Sequence, residues 1–266
     1  MKLEYNSLRP SPDAEATFAR FFEWFYDQMM DETVDNNDLA CETLYMLDTG
    51  LMDYKAGMQE AIEQGNAALQ LKLMNMDPRN AALEPEYYGD VNKEYYARNK
   101  PFLWLWTAFD QLPISRNTLF AFPFRRLLGG FLFRHLGENV KLFHNIEMTY
   151  GYNLVIEDNV VIHRDVLLDD RGGITIGKNA SISDYANIYS HTHSSNEISD
   201  VTLHHTVIGA NARVTYHATV LSGSSLGDWS ILGAMGLATR PIESKQIKGG
   251  IPARPLGVVE PRGLPS

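Results

Sequence analysis

Hydrophobic positions recur every six residues through the C-terminal half of the chain. Ile208, Val214, Val220, Leu226, Leu232 and Ala238 keep that spacing without exception, and two residues before each stands Thr206, Ala212, Ala218, Ser224, Ser230 or Gly236. An upstream series repeats it with Ile156, Ile162 and Leu168, slips by two residues at Arg171-Gly172-Gly173, and resumes with Ile176, Ile182 and Ile188. The paired positions there are Leu154, Val160, Val166, Ile174, Ala180 and Ala186. Six is a multiple of the strand period of two, so each repeat can be a short strand whose marked side chain always points inward. Three such strands make one turn of a solenoid, stacked about 4.8 Å apart. Twelve repeats predict about four coils. An antiparallel sandwich would show strands of uneven length, with turn signals every ~8–12 residues.

The N-terminal half has the helical period instead. FARFFEWFYDQMM and AGMQEAIEQGNAALQLKLM place apolar residues three and four apart between Gly and Asn breaks, predicting helices over 14–75. Pro78 and Pro85 then bias Asp77 and Glu84 away from helix, so 76–90 reads as a linker. Residues 95–133 carry 11 of the chain's 29 aromatics, with Arg125 and Arg126 among them. That segment reads as a packed cap or subunit interface, in preference to a peripheral membrane contact or an apolar acceptor pocket. The expected organisation is an α-helical accessory region over 1–135 and a mainly β solenoid domain over 136–266.

Charge and cysteine content narrow the function. The net charge of −10 disfavours nucleic acid as a partner, and the imbalance is local, since residues 1–48 hold 11 acidic and three basic side chains. One cysteine, Cys41, cannot form an intrachain disulfide. The N-terminal residues show no secretory pattern, and no apolar run reaches membrane-spanning length. A cytoplasmic protein is the expectation.

All eight histidines lie between residues 135 and 217. Ile188 and Ile208 are 20 residues apart, not a multiple of six, so YSHTHSSNEISDVTLHHT must leave the ladder as a loop. Within it, Ser190-His191-Thr192-His193 admits three readings. A histidine there could act as general base if a carboxylate or carbonyl fixed its tautomer; His191 and His193 could bind zinc with a third histidine from another subunit; or both could be surface residues.

The ordered set TYGYNLVIEDNVVI (149–162), GGITIGKNASISDYANIYSHTH (172–193), TVIGANARV (206–214), ATRPI (238–242) and GGIPARPLG (249–257) resembles the left-handed β-helix hexapeptide-repeat acyltransferases. Within them the resemblance is to the maltose and galactoside O-acetyltransferase branch. It implies a left-handed parallel β-helix, a homotrimer with active sites between subunits, and acetyl-CoA or another acyl-CoA as co-substrate, without a metal. It also implies a small-molecule hydroxyl acceptor. By this matching His193 is the catalytic base, with His191 beside it. Asp165 stands where the family usually has asparagine, either orienting His193 or solvated at a turn. Backbone near Thr215 and Ala234 would align the pantetheine arm, Thr239, Arg240 and Arg254 would meet coenzyme A, and His191 and Tyr152 would bind the acceptor.

Three departures stand out: Arg213 replaces an aromatic, the loop after His193 is shorter, and the N-terminal region is longer, acidic and aromatic. Two rivals belong to other classes. One is a zinc lyase of the γ-carbonic anhydrase type, for which no His-x4-His pair is present. The other is a non-catalytic trimeric scaffold.

Overall fold

The structure is a computed structural model that describes residues 8–260. Helices come first: α1 (Pro12–Met30), α2 (Asn36–Thr49), α3 (Tyr54–Glu63), α4 (Ala67–Met74), α5 (Lys93–Phe109) and α6 (Thr118–Leu132). The first four start where a short polar side chain accepts an orphan backbone N–H: Ser11, Asp35, Asp53 and Asn66 are their caps. Residues 76–90, expected as a linker, contain two 3-10 turns, Pro78–Asn80 and Glu84–Tyr87.

The chain divides into two compact units, one of Met1–Ala82 with Trp104–Leu127, the other of Leu83–Leu103 with Leu128–Ser266. In the first, the aromatic segment packs as a core. Phe21 of α1 meets Phe120 and Phe124 of α6 at centroid distances of 5.1 and 5.4 Å, and Phe109 lies edge-on to Phe124 at 4.8 Å. Cys41 is buried in this unit, and burial pushes its thiol up to about 12, so it is not a ready nucleophile.

The second unit is a parallel β-solenoid of the left-handed hexapeptide-repeat type. Its first coil is β1 (His135–Leu136), β2 (Lys141–Leu142) and β3 (Glu147–Met148); the second is β4 (Leu154–Ile156), β5 (Val161–Ile162) and β6 (Leu167–Asp169). The third coil is β7 (Ile174–Ile176), β8 (Ser181–Ile182) and β9 (Asn187–Tyr189), followed by a two-stranded excursion, β10 (His191–His193) and β11 (Val201–Leu203). The fourth coil is β12 (Thr206–Ile208), β13 (Arg213–Val214) and β14 (Thr219–Val220); the fifth is β15 (Ser225–Leu226), β16 (Ile231–Leu232) and β17 (Leu237–Ala238). β18 (Gln246–Gly249) begins a sixth, and β19 (Arg254–Val258) folds back antiparallel to it.

Three faces result, with β1, β4, β7, β12 and β15 in one sheet, β2, β5, β8, β13, β16 and β18 in the second, and β3, β6, β9, β14 and β17 in the third. All twelve residues of the two sequence ladders are at most 1% exposed. There are five complete coils rather than four. The additional one, at the start, carries the same spacing in Leu136, Leu142 and Met148. The first coils repeat every 20 residues, as His135 pairs with Val155 and Val155 with Thr175, whereas Val207 pairs with Ser225, 18 residues on. The two extra residues sit at the corner between the third face and the first, where the Arg171-Gly172-Gly173 slip falls.

The other two corners are sharp, and their central residues adopt a left-handed backbone: Asn139, Asn159, Asn179, Asn211 and Trp229 at one, Asn145, Asp165, Tyr185, His217 and Met235 at the other, with φ between 51° and 62°. Asparagine tolerates that conformation. Tyr185 lacks this tolerance, but its ring stacks on that of His217 at 4.7 Å.

Asp170 is fully buried at the wide corner and accepts the backbone N–H groups of Tyr150 at 2.7 Å and Asn153 at 3.2 Å. Burial outweighs these bonds and raises its carboxyl to about 7. A folded-state value above the unfolded one contributes stability below about pH 4 that is lost as the pH rises through about 7. Relative to Asp170→Asn, the natural protein should therefore lose on the order of 4 kcal/mol between pH 4 and 7. Urea denaturation across that range measures the difference, and a constant difference would contradict it.

Candidate functional site

The loop expected between Ile188 and Ile208 is an antiparallel hairpin in which His191 pairs with Leu203 and His193 with Val201. It forms a sheet of its own, joined to none of the three faces. The hairpin leaves the wide corner between the third and fourth coils, and its feet are tied tightly. Ser190 is fully buried, its carbonyl accepts the His204 N–H at 2.8 Å, and its hydroxyl accepts the Gly172 N–H at 2.7 Å. The same hydroxyl donates to the Asp169 carbonyl.

His193 projects from the outgoing strand into solvent. Its Nδ1 lies 2.6 Å from the Ile198 carbonyl oxygen. A carbonyl can only accept, so Nδ1 carries the proton and the neutral ring presents Nε2 as a proton acceptor. His191 points inward, and its Nδ1 contacts the Asp169 carboxylate. The two rings lie edge to face, 5.1 Å apart at 83°. On the returning side, His205 Nε2 lies 2.9 Å from Thr175 Oγ1.

Asp165 occupies a different corner, between β5 and β6. Its carboxylate accepts Asn145 Nδ2–H at 2.8 Å, and Arg164 Nε lies 3.9 Å away. Within one chain the carboxylate against a histidine at the hairpin is Asp169. Its sequence signal is the acidic pair Asp169-Asp170 ahead of the glycine slip, 22 residues before His191, or one coil plus two.

Tyr152 turns toward the chain's own segment Leu83–Leu103. Its hydroxyl accepts the Asn92 N–H at 3.0 Å, and its ring stacks on Tyr150 at 5.1 Å with Tyr95 at 5.8 Å. Nearby, Arg171 donates to both carboxylate oxygens of Asp90, at 3.1 and 2.7 Å. Tyr152 is thus engaged by a part of the chain that the sequence reading did not connect with the site.

The residues expected to meet coenzyme A lie on the upper coils. Thr215 and Ala234 stand at the sharp corner after β13 and β16, in successive coils; Thr215 Oγ1 donates to the Leu232 carbonyl at 2.7 Å. Thr239 and Arg240 follow β17 at the corner above the hairpin, both exposed, and Arg254 begins β19, also exposed. Thr239 and Arg240 therefore share a corner with His193, whereas Thr215 and Ala234 do not. Among the described residues no three His, Cys, Asp or Glu side chains are grouped as a metal site, and no helix is long and apolar enough to cross a membrane.

Known proteins resemble this arrangement. The chain is 26% identical over 165 residues to WcaF of Escherichia coli (strain K12), an acetyltransferase provisionally assigned to colanic acid biosynthesis, covering 61% of this chain and 90% of that protein. Its curated relatives are acetyltransferases, and its fold is that of the hexapeptide-repeat acetyltransferases. Acyl transfer is its enzyme class. Two solved structures share the fold. The maltose O-acetyltransferase of Clostridium difficile 630 superposes with a TM-score of 0.55 at 22% identity, over 63% of this chain and 88% of that one. A hexapeptide-repeat acetyltransferase of Vibrio cholerae O1 biovar eltor, complexed with acetyl coenzyme A, gives 0.56 at 19% identity, over 70% and 100%. No protein-family model matches the chain.

Proposed function

We propose that this protein is a homotrimeric, cytoplasmic O-acyltransferase that moves an acyl group, acetyl in the first instance, from a coenzyme A thioester to the hydroxyl of a small acceptor. The observation that carries the reading is the tautomer of His193, which the Ile198 carbonyl holds with Nε2 free at an exposed hairpin. Nε2 takes the acceptor's hydroxyl proton as the oxygen attacks the thioester carbonyl. Backbone N–H groups of the upper coils receive the oxyanion. Collapse breaks the C–S bond, and the proton on Nε2 passes to the departing thiolate, leaving an acyl ester and free coenzyme A with the base restored.

The reading calls for a trimer. His193 leaves one corner of the prism while Asp165, Thr215 and Ala234 line another, so one chain cannot bring them together around one acceptor. A neighbouring copy can, with flat faces packed about a threefold axis. Asp165 would then face the His193 of an adjacent subunit. The zinc lyase likewise needs a histidine from a second chain, and the sequence holds no His-x4-His pair.

Thermal shift with acetyl-CoA, longer acyl-CoAs and zinc in parallel tests the reading, because a ligand that binds only the native state raises the melting temperature. A shift with an acyl-CoA, followed by thiol release when hydroxyl acceptors are supplied, supports it. A shift with zinc alone favours the lyase, and none favours the scaffold. Arg254→Ala should weaken acyl-CoA binding about tenfold, as expected for loss of one charge-assisted contact to phosphate. Calorimetric titration checks this, and unchanged affinity removes Arg254 from the donor site.

A further inference from the structure

The hairpin that bears His193 pairs only with itself, so its aim is set at its feet. The outgoing foot is built on Asp169. This residue ends β6 in the coil below and is 4% exposed, and its backbone carbonyl receives the Ser190 hydroxyl. Its side chain is held from two further sides, with Thr149 Oγ1–H donating to Oδ1 at 3.3 Å and the Ser190 backbone N–H donating to Oδ2 at 3.4 Å. His191 Nδ1 reaches the same Oδ2. The carboxylate is thus in place before any substrate arrives, and the His191 imidazole is fixed by it. His193 rests edge to face against that imidazole at 5.1 Å.

The rear of this cluster is supported by the accessory segment. Arg171, two residues beyond Asp169, is buried, chelates Asp90 and lies 4.1 Å over the ring of Tyr88. Tyr88 and Asp90 belong to a stretch that precedes the solenoid in sequence yet is part of the same compact unit. The ring of His193 has one polar tie among the described residues, to Ile198 of its own hairpin. The orientation of its ring relative to the solenoid therefore depends on the Ser190–His191 foot.

We propose that Asp169 is a positioning residue for the acyl transfer, holding His191 so that His191 in turn sets the ring of His193 at the foot of the hairpin. The inference rests on the reading of His193 as the base. The geometry follows the familiar logic of a carboxylate that orients an imidazole, with one difference: the oriented ring is the neighbour of the base. Asparagine at 169 offers one acceptor oxygen where Thr149, Ser190 and His191 now use two, so it cannot satisfy the present set.

Two variants and two measurements test it. Asp169→Asn and His191→Phe, the latter keeping an aromatic edge against His193 while removing the tether, are each expected to lower kcat 10- to 100-fold. KM for the acyl-CoA should stay within about twofold, given a misaimed base and an undisturbed donor site. Independently of activity, long-range proton–nitrogen NMR of the histidine rings should show His191 protonated at Nδ1 in the natural protein. In Asp169→Asn that preference should be lost, while the Nδ1 proton of His193 persists. Unchanged kcat in His191→Phe, or an unchanged His191 tautomer in Asp169→Asn, would overturn the proposal. Failure of the base assignment is separately visible, because it would leave the NMR result intact while His193→Ala kept its turnover.

Discussion

Replacing His193 with alanine should lower turnover by about a hundred- to ten-thousandfold, the range that a positioned general base contributes. Acyl-CoA binding and the oligomeric state should be unchanged, since the side chain is exposed and its polar contact is internal to the hairpin. Coenzyme A release followed with a thiol reagent reads the loss, and sedimentation with calorimetric titration reads the two controls. Wild-type turnover in His193→Ala would remove the base from the mechanism. Loss of turnover together with loss of assembly would identify a structural role instead.

The six-residue ladders were legible because burial in a solenoid is absolute. Each of those side chains has one neighbour above and one below, so a polar residue at Ile182 or Val214 would face an unsatisfied interior. The earliest coil was harder to see, since Leu136 and Met148 are only half-buried where the stack begins. Helices in the N-terminal half were visible through their spacing and caps, and the aromatic cluster read as a core is one, centred on Phe21, Phe120 and Phe124. The role of residues 83–103 was not legible. Tyr88, Asp90 and Asn92 join the solenoid unit through single side chains and one backbone N–H, contacts that leave no periodic trace.

At the site, the kind of interaction was readable but one of its partners was not. Of the three readings open at His191-Thr192-His193, the general base required a carbonyl or carboxylate against a ring, and the structure places a carbonyl on His193 and a carboxylate on His191. Ungapped matching selects Asp165, which could meet a His193 only across a subunit interface. Within one chain, Asp165 is locked at a sharp corner by its left-handed backbone and by Asn145, while the widened corner brings Asp169 under the hairpin. The insertion that shifts the register by two residues is also what makes room for the hairpin's feet.

That widened corner makes Gly172 a position where a small change should have a large structural effect. A methyl group there would lie 2.4 Å from the Ser190 carbonyl oxygen and 2.7 Å from the backbone N and O of His204, the outgoing and returning feet of the hairpin at once. None of these atoms is the end of a flexible side chain, so the strain cannot be relieved by a rotamer change. Forcing extra volume into a packed site costs about 1–3 kcal/mol and occasionally more, and backbone on both sides places Gly172→Ala at or above the upper end. Relaxation must spread the two feet, which breaks the 2.8 Å bond from His204 to Ser190 and detaches Ser190 from Asp169. The variant should therefore lose at least about 3 kcal/mol in urea denaturation. Any folded fraction should turn over about as slowly as Asp169→Asn, because the same foot is displaced. Gly130→Ala is the control, since an added Cβ there meets nothing within 4 Å. A Gly172→Ala protein with unaltered stability and turnover would show that the hairpin is not held at its feet and that Asp169 does not position it.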